Sequence, residues 1–297
     1  MTVRPLLIGL FAGLCLVASN LAAESLTQRW ISAGGALSEW VVALGGESRL
    51  VGVDTTSLHP ASLRRLPKIG YQRQLSAEGV LALKPDLLLG SDEMGPPPVL
   101  QQLRAAGVRI EMLSAMADEQ VLRDNLLRLG ELLGTPERAK DAAADFDARI
   151  ENQAAWVKKA QATQTAPGVV LLLGHAGGNL LVAGQGTSGD WLIRHSGGHN
   201  LATHTGYKAL STEALTALDP HVVVLADRSL DGDKARAALP RQNPGLMAIR
   251  ALREGRVVIL DPTLLVGGLG PRIPDGLASL SRAFYPSAQA LNSEGRP

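Results

Sequence analysis

Short, largely apolar segments alternate along the chain with longer stretches of helical period. Arg29–Ala33, Leu50–Val53, Asp86–Leu89, Val108–Met112, Val169–Leu173, His221–Leu225 and Val257–Leu260 read as buried strands. Between them, Glu119–Leu133 carries Leu122, Leu126, Leu129 and Leu133 on one helical stripe. Strands alternating with helices predict α/β lobes built on mostly parallel sheets. From Thr135 to about Thr163 the pattern changes. Pro136 suits a first helical turn, and Ala, Glu, Lys and Gln dominate until Pro167. At 1.5 Å per residue such a helix is roughly 40 Å long, which reads as a rigid strut; one long surface helix of a single domain is the alternative. A last amphipathic helix uses Leu277, Leu280, Phe284 and Leu291 and is expected to pack on the second lobe.

The chain also repeats itself. Leu75-Ser76-Ala77-Glu78, with Pro85 and Leu87-Leu88-Leu89 behind it, recurs without a gap as Leu210-Ser211-Thr212-Glu213, with Pro220 and Val222-Val223-Val224. Each copy reads as a Ser cap, a short helix, a Pro stop and a buried strand. A weaker echo pairs Gly34–Trp40 with Gln185–Trp191. One repeat of this length means two similar lobes rather than a solenoid. The expected fold is therefore α/β, with two Rossmann-like lobes joined by a single long backbone helix and a ligand cleft between them. Its parts are residues 24–134, a linking helix over 135–165, and 166–297.

Composition adds a compartment. Arg4, the apolar run Leu6–Val17, and Ala22-Ala23 before Glu24 make residues 1–23 a cleavable signal peptide. A membrane span needs about 20 apolar residues, and Ser19-Asn20 interrupts this run. Cys15 follows Leu14 rather than a small residue, so a lipid anchor is not expected. The chain has 29 Lys and Arg against 28 Asp and Glu, and losing Arg4 makes them equal. That balance lacks the basic excess expected of a nucleic-acid binder. The only cysteine leaves with the leader, so no disulfide is expected. These features describe an exported globule.

In open α/β sheets ligands sit beyond the carboxyl ends of the strands. The cleft loops are thus expected at Gly34-Gly35, Asp54–Arg73, Ser91–Pro98, His175–Asn179, Asp227–Gly232 and Asp261–Gly270. Within them Gly70-Tyr71-Gln72-Arg73 holds one of only three tyrosines, with an arginine two residues on. A phenolate is a hard anionic donor suited to ferric iron, and tyrosine is a known haem ligand. An adjacent guanidinium favours the phenolate; a ring packed in its loop, bonding backbone through its hydroxyl, is the alternative. His195, His199 and His204 resemble a metal-ligand spacing, although Ser196-Gly197-Gly198 breaks any helix between them. His175 follows a strand and could face the cleft. Arg228 follows the repeated strand of the second lobe, where it could meet a ligand carboxylate, shield a metal-bound phenolate, or simply pair with Asp227 or Asp231. Glu78 and Glu213 occupy the same repeat position, in the first turn after each cap, where the helix dipole favours an acid. One on each lobe, they also form a matched pair of acidic knobs for a two-fold partner. No nucleophile elbow, Walker loop or His-Glu-x-x-His motif is present, so the chain reads as a binder rather than an enzyme.

The leader, the strut and the doubled Leu-Ser-x-Glu motif resemble the helical-backbone class of substrate-binding proteins, which serve importers of vitamin B12, ferric siderophores and haem. The resemblance covers essentially the whole mature chain. Within that class, Gly70-Tyr71-Gln72-Arg73 is similar to the haem-binding branch of Gram-negative bacteria. The resemblance implies haem b as transported ligand, with Tyr71 as axial iron ligand and Arg73 bonding its oxygen. It further implies a second-lobe arginine, at Arg228 by position, and a possible second-lobe haem contact at His175. Glu78 and Glu213 would dock on an ABC permease dimer, the binder itself being a monomer. Met94, Pro96–Pro98 and Leu264–Val266 are expected to cover the porphyrin. Two rivals remain: a cobalamin or ferric-siderophore binder of the same fold, and an exported zinc-dependent hydrolase or metal chaperone using the three histidines.

Overall fold

The computed structural model describes residues 28–174, 180–227, 230 and 232–288. The first lobe runs β1 (Trp30–Ala33), α1 (Gly35–Ala43), β2 (Leu50–Val53), β3 (Gly70–Tyr71), β4 (Gln74–Leu75), α2 (Ala77–Leu81), β5 (Leu87–Ser91), α3 (Pro97–Ala105), β6 (Arg109–Leu113) and α4 (Glu119–Leu133). Its main sheet is parallel throughout, in the order β2-β1-β5-β6. Every residue of β1 and β5 is buried, as expected of interior strands covered on both faces.

Helix α5 (Pro136–Gln161) then leads into the second lobe: β7 (Gly168–Gly174), β8 (Leu181–Ala183), α6 (Ser188–His195), β9 (His199–Asn200), β10 (Tyr207–Ala209), α7 (Thr212–Leu218), β11 (Val222–Asp227), α8 (Gly232–Gln242), α9 (Arg250–Arg253), β12 (Val257–Ile259) and α10 (Ile273–Phe284). The sheet order is β10-β8-β7-β11-β12, with β9 also paired to β7. Strands β7, β11 and β12 are parallel, while β8 runs antiparallel to both β7 and β10. The chain therefore forms the expected two α/β lobes, with an antiparallel margin that the sequence pattern did not announce.

The doubled motif folds the same way in both lobes. Ser76 Oγ accepts from the Gly79 amide at 3.3 Å and Ser211 Oγ from the Ala214 amide at 3.2 Å. Each cap satisfies an orphan donor and is worth about 1 kcal/mol. Each short helix then delivers the chain to an interior strand, β5 or β11.

Helix α5, 26 residues long, is amphipathic because it packs against both lobes. Ala139, Ala143, Phe146, Ile150, Gln153, Val157 and Ala160 recur at steps of three or four and are buried. The helix packs along α4 and α10. One hydrophobic cluster runs through it from Trp30 and Trp40 to Phe284 and Tyr285, while separate clusters fill the outer face of each sheet. Leu277, Leu280 and Phe284 are buried on α10 as expected, whereas Leu291 lies outside the described residues.

Polar contacts tie the lobes together beside this core. Arg272 donates to buried Glu39 of α1 through Nε (2.9 Å) and Nη2 (2.7 Å), to Asp261 at 2.8 Å and to Thr263 at 2.6 Å. His59 Nε2 lies 3.1 Å from Asp261, and the Trp40 indole donates to the Leu269 carbonyl at 2.8 Å. Burial pushes the Asp261 carboxyl up, but hydrogen bonds from Thr263 and Arg272 outweigh it and hold the group below the usual range. A carboxyl depressed on folding adds stability that is complete above an unfolded value of roughly 4 and is lost as pH falls through the folded value. Chemical denaturation as a function of pH should therefore show stability falling below about pH 4. Asp261→Asn should make that decline shallower; an unchanged slope would contradict the assignment.

Candidate functional site

The site grows from a hairpin. Gly70 has φ +92°, a left-handed conformation that turns the chain into β3. β3 pairs with β4 across a two-residue turn, Gln72-Arg73, with Tyr71 opposite Gln74. Gln72 points inward and is fully buried, while its neighbours Tyr71 and Arg73 line a cavity. The loop after β5 holds the hairpin: the Gly95 amide donates to Gln72 O at 3.0 Å and the Leu75 amide to Gly95 O at 2.9 Å. From the same loop, Glu93 accepts from Gln72 Nε2 at 3.2 Å and from Arg73 Nη2 at 2.5 Å. The hydrogen bond to Glu93 raises Arg73 above the usual guanidinium value despite partial desolvation, and the Tyr71 and Tyr207 phenols are close enough to add to it.

The cavity has a volume of about 700 Å³ and is lined by both lobes. Tyr71, Arg73, Asp92, Glu93 and the segment Ser114–Ala117 come from the first lobe. Leu173, Leu181, the turn Gly186–Ser188, Tyr207, Leu265 and Val266 come from the second. Two phenols and an arginine–carboxylate pair thus stand with an apolar wall of Leu173, Leu181, Leu265 and Val266. Met116, 64% exposed, adds a thioether to the rim. Volume and lining suit a small-molecule site, which typically runs to roughly 300–1,000 Å³. Chemically, a phenol oxygen can ligate a hard cation, the guanidinium can balance an anion, and the apolar wall can cover a flat ligand.

Several expected contacts fall elsewhere. Met94 is 4% exposed and packs under β5 in the outer core, against Gly90. Pro97 and Pro98 open α3, and neither they nor Pro96 line the cavity. Their apolar, loop-like sequence suggested a cleft cover, but Pro at a first helical turn serves the helix instead. Of Leu264–Val266, Leu265 and Val266 reach the cavity. The Gly34-Gly35 loop meets Gly267 across the lobe junction, and Asp54, fully buried, accepts from the Gly34 amide at 3.1 Å.

The three histidines do not converge. His195 stacks on Trp191 (centroids 3.8 Å apart) with Nε2 3.4 Å from Glu119, and His204 Nε2 lies 3.2 Å from the Val182 carbonyl. His199 stands in β9 beside a separate, polar surface hollow. Among the described residues no group of three or more His, Cys, Asp or Glu is placed to hold a metal ion. His175 and Arg228 lie outside the described residues. Glu78 and Glu213 are exposed in the first turns of α2 and α7. Hydrogen bonds from its own backbone amide and from Ser211 hold the Glu213 carboxyl below its usual range.

Sequence reasoning missed Glu93, the Ser114–Ala117 segment and Tyr207. Ser114 directly follows β6, so the strand-end rule could have found that segment. Glu93 lay within an expected cleft loop but carried no motif. Tyr207 had only its rarity to mark it.

Comparison with known proteins bears on this geometry. A family profile described as periplasmic binding protein matches residues 31–264. The crystal structure of a periplasmic heme-binding protein from Pseudomonas aeruginosa is 65% identical, covering 89% of this chain and 95% of that one with a TM-score of 0.87. YvrC of Bacillus subtilis, an uncharacterized ABC transporter substrate-binding lipoprotein, is 25% identical over 255 residues, 84% of this chain and 77% of the relative. The vitamin B12-binding protein of Pectobacterium atrosepticum is 32% identical over 146 residues, 49% of this chain and 52% of its own.

Proposed function

Because this chain belongs to the periplasmic binding protein family, we propose that it captures haem in the cleft between its lobes and delivers it to an ABC permease. The observation that carries this reading is Tyr71 beside Arg73 on a hairpin facing the interlobe cavity. The 65% identity to the Pseudomonas aeruginosa protein supports it. On binding ferric haem, the Tyr71 phenol gives its proton to water as an O–Fe bond forms. Arg73 balances the resulting phenolate, and Leu173, Leu181, Leu265 and Val266 cover the macrocycle. Arg228 supplies a second-lobe guanidinium and His175 a further haem contact. Residues 1–23 act as the leader that sends the chain to the periplasm. The mature protein is a monomer of a first lobe (24–134), a linking helix (135–165) and a second lobe (166–297).

Glu78 and Glu213 dock the two lobes on the two halves of a permease dimer. Both are exposed and follow equivalent caps on equivalent helices. Replacing both with alanine should leave haem affinity unchanged. Haem delivery to the permease in reconstituted vesicles should fall at least about tenfold, since charge complementarity governs encounter. Unchanged delivery would move the docking surface elsewhere.

The identity of the cargo is tested by titrating the mature chain with ferric haem and, separately, with cobalamin. A specific visible spectrum that saturates near one haem per chain, unaffected by cobalamin, is the expected result. Tight cobalamin binding without a haem spectrum would favour the function of the Pectobacterium relative.

A further inference from the structure

Glu93 grips both residues of the hairpin turn next to Tyr71. Its Oε2 accepts from Gln72 and its Oε1 from Arg73. The two partners differ in freedom. Gln72 is fully buried, and its Oε1, which finds no hydrogen-bond partner among the described residues, sits so close to Gly34 that a Cβ there would lie 2.9 Å from it. Gln72 is thus fixed by its surroundings. The Arg73 side chain is 52% exposed and that of Glu93 34% exposed, and both line the cavity. A guanidinium whose charge is already balanced by a carboxylate offers less to a second anion beside it.

Resting on the reading of Tyr71 as iron ligand, we propose that Glu93 is a positioning residue that shares Arg73 with the iron-bound tyrosine and so limits how tightly haem is held. Arg73 is engaged by Glu93; when the anionic Tyr71 oxygen forms on binding ferric haem, the guanidinium is divided between two acceptors. The cost of that division weakens the grip on haem and eases its release at the permease. Gln72 and the loop after β5 keep the hairpin in place throughout, so the exchange needs only an arginine side chain to shift.

The test is the release of ferric haem from the mature protein to excess apomyoglobin, followed by stopped flow, together with the tyrosine-to-iron charge-transfer band. Glu93→Gln frees Arg73 to bond the Tyr71 oxygen fully. Release should slow by roughly three- to tenfold, the scale of a partly exposed ion pair. The charge-transfer band should move to higher energy as the donor oxygen is stabilised. Both changes should vanish in an Arg73→Leu background, where Glu93 has no guanidinium to compete for. Faster release with an unmoved band and a lower melting temperature would mean that Glu93 only braces the hairpin, and would overturn the proposal. An effect that persists without Arg73 would overturn it too, since the carboxylate would then act by its own charge. A charge-transfer band that survives Tyr71→Phe would instead strike the ligand assignment on which the proposal stands.

Discussion

Replacing Tyr71 by alanine is expected to weaken ferric haem binding by at least about 100-fold, the upper end of what losing even a supporting partner of a metal ligand costs. Three things place the effect here. Tyr71 is fixed in register opposite Gln74, its hairpin is clamped by the Gly95 and Glu93 contacts, and its ring faces the cavity. The truncation leaves those clamps intact, so the melting temperature of the haem-free protein should move little. Isothermal titration paired with a thermal melt separates loss of the iron bond from loss of the fold. An unstable variant with normal residual affinity would mean that the tyrosine serves packing.

Arg272→Met should cost the haem-free protein about 3 kcal/mol, near the lower bound for breaking a buried pair, because the arginine is partly exposed. Its partner Glu39 is only 5% exposed, and each of its carboxylate oxygens accepts from Arg272. Methionine fills the volume but leaves that carboxylate unpaired inside the lobe junction. For a chain of this size the melting temperature should drop by roughly 6–12 °C. Pairing the change with Glu39→Gln should recover part of the loss, because the stranded charge is gone. Additive effects of the two substitutions would mean that the residues do not act as a pair. The same junction bears on function: with Glu39, Arg272, Asp261 and His59 linking the lobes beside the α5 core, wide spontaneous opening is opposed.

Most of the architecture was legible because it rests on strong, local signals. The seven apolar segments became strands, β2 with the same ends and the other six with ends shifted by at most two residues, and the stripe over Glu119–Leu133 became α4 with the same ends. Caps at Ser76 and Ser211 could be read because an N-cap needs only its own helix. The hairpin β3–β4 and the short strands β8, β9 and β10 were not legible. Apart from β12, which the apolar run Val257–Leu260 marked, strands of two or three residues carried no readable period, and their pairing is decided by partners far along the chain. The site divides in the same way. Tyr71 and Arg73 stood out through a resemblance at a contiguous motif. Glu93 reaches them from another loop and Tyr207 enters the cavity from the other lobe, which only tertiary structure can reveal. Met94 and Pro96–Pro98 misled because apolar loop residues look alike whether they face a ligand or a core.

The central claim is that Tyr71, and not the second cavity tyrosine, holds the iron. Resonance Raman spectra of the ferric haem complex test it most directly, recorded for the wild type, Tyr71→Phe and Tyr207→Phe. An iron–phenolate vibration present in the wild type and in Tyr207→Phe, and absent in Tyr71→Phe, is the predicted result. Its survival in Tyr71→Phe with loss in Tyr207→Phe would contradict the assignment and move the iron to the second lobe.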